Sequence, residues 1–272
     1  MPPFKVALFL PRFFMKVFVI PDIHQTDVWV KAAEENISKV DKMIFLGDYV
    51  DSFHANELRG TDLDGPHTVR RLKVFYDAHP DKVVLLCGNH DFSYLAQSKD
   101  GQRVSGHQHD AADITEALLE TLQVLHAVVE IDGVVYSHAG VSKIWYENHS
   151  ISSLEQMDDL LHHRSEKTYN WDGMYDGYGD EPQQTPFWIR PQKLIYSTLG
   201  AKDTFNMQFP KQVVGHTEMR DGHYPFLFSN KTGIETTNIM PDNSWLCVTD
   251  SQNRDGFITV EDGEITTPYK TI

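Results

Sequence analysis

Short apolar runs alternate along this chain with longer stretches whose apolar residues recur at helical spacing. Residues 16–20, 42–46 and 82–87 are runs of the first kind, as strands buried on both faces are. Between them, 27–39 and 66–79 carry an amphipathic helical pattern, and Pro66 suits a helix start. Strand, helix, strand, helix, strand at this spacing predicts parallel βαβ units with right-handed crossovers. A further helix is expected over 111–126. The apolar stretches 128–131 and 134–136 then flank Asp132-Gly133, a hairpin turn signal.

The pattern changes from about residue 148 to residue 193, where the chain is polar and contains a Gly/Asp/Tyr-rich run at 171–180. Short helices and a long excursion over one face are expected there; loops of this length inside a compact domain are usually functional. Beyond it, 212–214, 225–228, 245–249 and 257–260 look like mostly antiparallel strands. Residues 1–14 are apolar but proline-broken, with no small-residue cleavage site following, which argues against a signal peptide. Met15 stands directly before the first strand and is a plausible natural start. The expected organisation is an extension at 1–14 and a single domain over 15–272, with the polar insertion at 148–193.

Net charge changes the picture in one respect. At -15 over 272 residues, the chain is a poor general binder of nucleic acid or acidic membranes. No apolar run approaches the roughly 18 residues of a membrane span. Cys87 and Cys247 both lie inside apolar strand-like runs, which suits small core residues in a reducing cytoplasm better than a disulfide. Fourteen histidines is a high count, so position has to decide which of them matter.

Position singles out the strand ends. They read Pro21-Asp22-Ile23-His24, Gly47-Asp48-Tyr49-Val50-Asp51, Gly88-Asn89-His90-Asp91, Ser137-His138-Ala139-Gly140 and Gly215-His216-Thr217. Open α/β sheets bind ligands outside the carboxyl ends of their strands. Alternation along an extended chain would put Asp22 and His24 on one side, able to grip one ion. Each motif alone is weak, since an isolated histidine is more often structural. Five together, four directly after an apolar strand, are not a chance arrangement. Asp, Asn and His without Cys suit Mn²⁺, Fe²⁺ or Zn²⁺ and not a thiolate zinc site. The groups exceed the needs of one ion and suit two sharing a carboxylate. Such a pair, roughly 3.5–4 Å apart, can clamp a phosphoryl group during in-line displacement.

In order and spacing these five motifs resemble the calcineurin-like metallophosphoesterase superfamily over roughly residues 15 to 260. Gly47-Asp48-Tyr49-Val50-Asp51 and Val214-Gly215-His216-Thr217 are most similar to the phosphoprotein-phosphatase branch and its bacterial and phage members. Glu218, where many other members carry a second histidine, favours the same branch. The resemblance implies an α/β fold of two facing mixed β-sheets flanked by helices, a four-layer αββα sandwich. It implies that Asp22 and His24 hold one metal, that Asp48 bridges two, and that Asn89, His138 and His216 complete the second. It further implies a metal-bridging hydroxide as nucleophile, with His90 protonating the leaving oxygen and oriented by Asp51. Asp91 is expected to be structural.

Two positions depart from that branch. Gln25 stands where a glycine is usual after the first histidine, and Ser52-Phe53 where Arg-Gly is usual. The missing arginine would have met the substrate phosphate bidentately, which serine cannot do. Arg190, in Pro186-Phe187-Trp188-Ile189-Arg190-Pro191, is the candidate replacement, with Arg164 and Arg103 as weaker ones; Asn89 is a second candidate for substrate contact. His107, Gln108 and His109 form a polar loop that could line the pocket. Tyr169, Trp171, Tyr175 and Tyr178 could stack a nucleobase or a peptide side chain, or anchor the excursion.

The resulting expectation is a cytoplasmic phosphomonoesterase with two divalent ions, manganese first and Fe, Zn, Ni or Mg as alternatives. Its substrate would be a phosphoprotein. The alternatives are a nucleotide or nucleic-acid end phosphatase, a phosphodiesterase or a dinucleoside polyphosphate hydrolase, and, in another class, an idle metal-stabilised binding module. No membrane or long nucleic-acid partner is expected.

Overall fold

The computed structural model describes residues 15–52, 64–96, 104, 112–169, 179–195, 205–218, 225–229, 243–249, 256–267 and 270–271. Six strands form the first sheet: β1 (Lys16–Ile20), β2 (Lys42–Phe45), β3 (Val83–Leu86), β4 (Leu125–His126), β10 (Ile258–Glu261) and β11 (Glu264–Ile265). They lie in the order β11-β10-β1-β2-β3-β4. The second sheet has the order β12-β8-β9-β7-β6-β5. Its strands are β5 (Val128–Ile131), β6 (Val134–Ser137), β7 (Lys211–Val214), β8 (Phe226–Ser229), β9 (Trp245–Val248) and β12 (Lys270–Thr271).

Pairing from β1 to β4 is parallel throughout, so these strands end at one edge, as the βαβ spacing predicts. The crossovers use α1 (Val28–Asn36) and α2 (Gly65–Ala78). Asp64 caps α2 by accepting the His67 N–H at 2.7 Å, and Pro66 follows in the first turn. The continuous apolar runs are explained by side-chain alternation. Val17, Val19, Ile44, Leu46 and Leu86 face the second sheet, where they meet Val134, Tyr136, Val213 and Cys247. Phe18, Ile20, Met43, Phe45, Val83 and Leu85 face the helices instead. There they pack with Trp29 and Ala33 of α1, Val69 and Leu72 of α2, and Ile114 and Leu118 of α4 (Ala112–Thr121). Ile189, Leu194 and Ile195 cover the far face of the second sheet against Val214, Leu246 and Val248. Two facing mixed sheets between helices is the expected fold class.

Two local expectations need correction. The helix expected over 111–126 ends at Thr121; a 3₁₀ turn (Leu122–Val124) follows and Leu125–His126 becomes β4, pairing with β3. The C-terminal strands are not mostly antiparallel. β9 inserts between β7 and β8, which makes it parallel to β7 and antiparallel to β8, and β7 is also parallel to β6. Short apolar runs carry no information about direction. The residues after β3 form a helix, α3 (Asn89–Leu95), capped where Asp91 accepts the Gly88 N–H at 2.9 Å. The hairpin at Asp132-Gly133 is as expected, both residues having positive φ (51° and 76°), as a type I′ turn requires. Cys87 and Cys247 are free and buried.

After α5 (Lys143–Asn148), the polar stretch 148–193 supplies α6 (Leu154–His162), α7 (Glu166–Tyr169) and the start of α8 (Pro191–Ile195). Its described residues fold back onto the core, where Tyr169 stacks on Phe187 with ring centroids 4.6 Å apart. Tyr169 is fully buried and donates its hydroxyl to Met157 O, so it is a core residue and not a stacking platform. The extension 1–14 lies outside the described residues. No helix among the described residues is long and apolar enough to cross a membrane.

Candidate metal centre

Asp48 is where the strand ends converge. Its Oδ2 lies 3.7 Å from His24 Nε2, 3.4 Å from His138 Nε2 and 3.9 Å from His90 Nε2. Among the described residues two groups could hold a metal ion, His24-Asp48-His90 and Asp48-His138-His216, each with its ligand atoms within 4.8 Å of one another. Asn89 joins the second group: its Oδ1 is 2.8 Å from His138 Nε2 and 3.0 Å from His216 Nδ1. Asp22 stands beside them. Its two oxygens accept the His216 N–H at 3.1 and 3.0 Å, and its charge reaches His138. The first sheet brings Asp22, Asp48 and Asn89 to the edge and the second brings His138 and His216.

The backbone that achieves this is strained. His24, Gln25, Asp48, Asp51 and His216 have φ of 45°, 60°, 52°, 62° and 60°. Left-handed backbone costs an L-residue roughly 1–2 kcal/mol, and such strain gathers at functional sites. His24 therefore does not share a side with Asp22 by strand alternation. The chain turns out of the strand conformation at His24, and it is the turn that brings its ring to Asp48. The loops are laced together, since Ile23 and His24 donate to Asp48 O at 3.1 and 2.8 Å. Asp91 anchors them from below, accepting the N–H groups of Asp48, Tyr49 and Gly88 at 2.8, 2.9 and 2.9 Å. This is the structural role expected of it. Burial and the Asp48 charge push its pKa above the usual carboxylate range. Two glycines permit the close approaches: a Cβ on Gly88 would lie 2.1 Å from Asp48 Oδ1, and one on Gly215 2.1 Å from Asp22 Oδ1.

Three of the four histidines are oriented by a backbone carbonyl. Nδ1 of His24 faces the Val50 and Asp51 carbonyls at 3.1 and 2.9 Å, and Nδ1 of His138 faces Leu46 O at 2.9 Å. Nε2 of His216 faces Trp188 O at 3.0 Å. On His24 and His216 those nitrogens carry the protons, so the lone pairs of the others are aimed at oxygens of Asp48 and Asn89. Burial lowers the His24 pKa to about 4, and burial together with Arg190 takes His216 well below its usual value. Both rings are therefore neutral at pH 7, with lone pairs facing oxygen lone pairs. Burial also opposes charging of His138, but the carboxylates of Asp48 and Asp22 outweigh it and raise its pKa to about 9. A centre of converging acceptors around one carboxylate fits divalent cations.

On the other side of Asp48, His90 Nδ1 donates to Asp51 Oδ2 at 3.0 Å, and its backbone N–H donates to Asp48 Oδ1 at 2.9 Å. Burial disfavours its charged form, but Asp48 and Asp51 prevail and its pKa is raised. Tyr94 donates its hydroxyl to the other Asp51 oxygen. The sequence alone does not single out Tyr94; once Asn89–Leu95 is a helix, the spacing of four from His90 places both on one face of it.

Arg190 is drawn to the site. Its Nη1 donates to His216 O at 3.1 Å and Thr217 Oγ1 at 3.2 Å. Arg164 instead lies just past α6, its N–H on Leu161 O. Arg103, His107, Gln108, His109, Trp171, Tyr175 and Tyr178 lie outside the described residues.

Facing mixed sheets between helices, with a carboxylate–amide–imidazole centre at their shared edge, define a metal-dependent phosphoesterase. The family model for the calcineurin-like phosphoesterases matches residues 15–217, and the chain belongs to that family. It is similar to the cold-active protein-tyrosine phosphatase of a psychrophilic Shewanella species, at 19% identity and a TM-score of 0.56. That likeness covers 92% of this chain and 76% of the other. A metallophosphoesterase from Sphaerobacter thermophilus is 16% identical with a TM-score of 0.48, over 94% of this chain and 89% of that one. A protein serine/threonine phosphatase from Saccharomyces cerevisiae is 14% identical with a TM-score of 0.48, over 90% and 72%. At these identities the likeness is one of fold alone. No curated protein matches the chain.

Proposed function

We propose that the chain hydrolyses phosphomonoesters, with phosphoserine or phosphothreonine in a protein as the substrate class. The observation that carries this is the His90–Asp51 pair set against Asp48, with His90 Nε2 3.9 Å from Asp48 Oδ2. An alkoxide leaving from a serine or threonine ester needs a proton, and an imidazole held beside a carboxylate can deliver one at neutral pH. His90 is the general acid in this scheme, and Asp51, steadied by Tyr94, orients it.

Asp22, His24 and Asp48 would hold one divalent ion, and Asp48, Asn89, His138 and His216 a second. Manganese is the ion we propose, in keeping with ligands that include no thiolate. Bound there, such ions supply a lowered water pKa and charge stabilisation at the phosphoryl oxygens. Arg190, beside His216, would bind the phosphate in this scheme, the role left open by Ser52. The buried position of Tyr169 removes one support for a nucleobase-stacking surface, and with it part of the case for nucleotide substrates. A cytoplasmic setting is in keeping with the free, buried cysteines.

The test is turnover with Mn²⁺ on para-nitrophenyl phosphate, its bis-ester and a phosphoserine peptide, for wild type, His90→Asn and Asp48→Asn. Cleavage of monoester and peptide, lost with metal in Asp48→Asn and lost with metal retained in His90→Asn, is the expected result. Preference for the bis-ester would move the assignment to a phosphodiesterase.

A further inference from the structure

Gln25 follows His24 yet is a long polar residue in left-handed backbone (φ 60°), with its side chain almost fully buried. A residue free to vary there would favour glycine. What Gln25 does with its side chain is specific. The Oε1 accepts the Ser52 N–H at 2.8 Å, while its backbone N–H donates to Tyr49 O at 3.1 Å. One residue therefore holds both ends of the segment 49–52. Between the two anchors lies Asp51, itself at φ 62°, fully buried, and bonded to the His90 imidazole through Oδ2. The neighbouring His24 ring adds bonds to the carbonyls of Val50 and Asp51, inside the clamped segment. Without the Gln25 amide, the chain leaving Asp51 loses this bond to the first loop.

We propose that Gln25 is a positioning residue for the Asp51–His90 pair, setting the acid that serves the leaving group through its clamp on residues 49–52. This rests on the phosphomonoesterase assignment above. Because Gln25 acts through the acid, its loss weighs on esters whose leaving oxygen needs a proton and much less on those whose leaving group departs as a stable anion.

The experiment compares wild type with Gln25→Gly, a change that relieves the left-handed backbone while removing the amide. Substrates are glycerol 2-phosphate, with an alkoxide leaving group, and para-nitrophenyl phosphate, with a stabilised one. Metal content is measured on the same samples. The expected result is a fall in kcat of about 10-fold or more on glycerol 2-phosphate, a clearly smaller fall on the nitrophenyl ester, and unchanged metal. Gln25→Glu, which keeps an oxygen acceptor for the Ser52 N–H, should recover part of the loss. Equal falls on both esters, or no fall on either, would overturn the proposal. A second readout does not need turnover: in ¹⁵N-histidine spectra, the Nδ1–H signal of His90 should weaken or shift in Gln25→Gly, and an unaltered His90 signal would also overturn it. Wild type that cleaves no monoester would count against the phosphomonoesterase assignment, and the histidine spectra would then decide the positioning role on their own.

Discussion

The His90 imidazole and the Asp51 carboxylate meet at 3.0 Å across 39 residues of chain, one from the first turn of a helix and the other from a left-handed turn after a strand. A side chain held this way is oriented before substrate arrives. The consequence is a pH dependence. Asp51 helps hold the His90 pKa up, so replacing it with Asn lets that pKa fall. Turnover of an alkyl phosphate should decline as pH rises through the His90 pKa, and in Asp51→Asn the decline should begin at lower pH. His90→Asn should cost about 10²-fold or more on the same substrate. Rate profiles in Mn²⁺ buffers check both, and a His90→Asn variant with full alkyl phosphate turnover would remove the acid from the scheme.

His138 gives the metal-free protein its own pH response. Its folded pKa, raised to about 9, lies above the ordinary value of 6.5. The stability it contributes is fully present below pH 6.5 and is lost as pH rises through 9. The size is at most about 3 kcal/mol. Urea melts in EDTA should therefore show a lower midpoint at pH 9.5 than at pH 6.5. With Mn²⁺ bound the drop should shrink, because the ion and not a proton then faces the ring. Equal midpoints in EDTA would mean that the 3.4 Å approach of His138 to Asp48 is not present in solution.

Gly88 leaves no room for a side chain against the central carboxylate. An alanine there would bring its Cβ to 2.1 Å from Asp48 Oδ1. The atom it displaces belongs to the residue that both histidine groups share. Gly88→Ala should lower stability by about 1–3 kcal/mol, as overpacking does. It should also lower metal content measured on the purified, folded protein. Full metal occupancy at wild-type stability would show that Asp48 can move aside.

Arg190 is expected to act on substrate binding. Removing the guanidinium in Arg190→Ala should raise KM for a phosphomonoester by about 10-fold or more, since charge-assisted bidentate contacts are worth roughly twice neutral ones. Arg190→Lys should recover little, because an ammonium cannot form the planar fork. Steady-state kinetics separate KM from kcat, and an unchanged KM in both variants would leave the phosphate to other residues.

The apolar runs at β1, β2 and β3 announced a parallel, doubly covered sheet because a strand buried on both faces has no polar positions to spare. The residues at their ends announced a metal centre because Asp, Asn and His gathered behind apolar strands have few other uses. The sequence motifs therefore determined the fold class, the family and the candidate ligands by local composition and order alone. Other features depend on where segments far apart in the chain come to rest. The insertion of β9 between β7 and β8, the turn that carries His24 to Asp48, and the tie from Gln25 to Ser52 are set by packing between loops, and periodicity does not record it. Tyr94 and Tyr169 make the same point from opposite directions. The first was hidden beside the site, and the second was conspicuous in the sequence yet belongs to the core. A one-dimensional pattern fixes which face a residue takes within its own element. Only the closing of the two sheets decides which residue on that face meets Asp48, because that closeness is a property of long-range packing and not of neighbours in the chain.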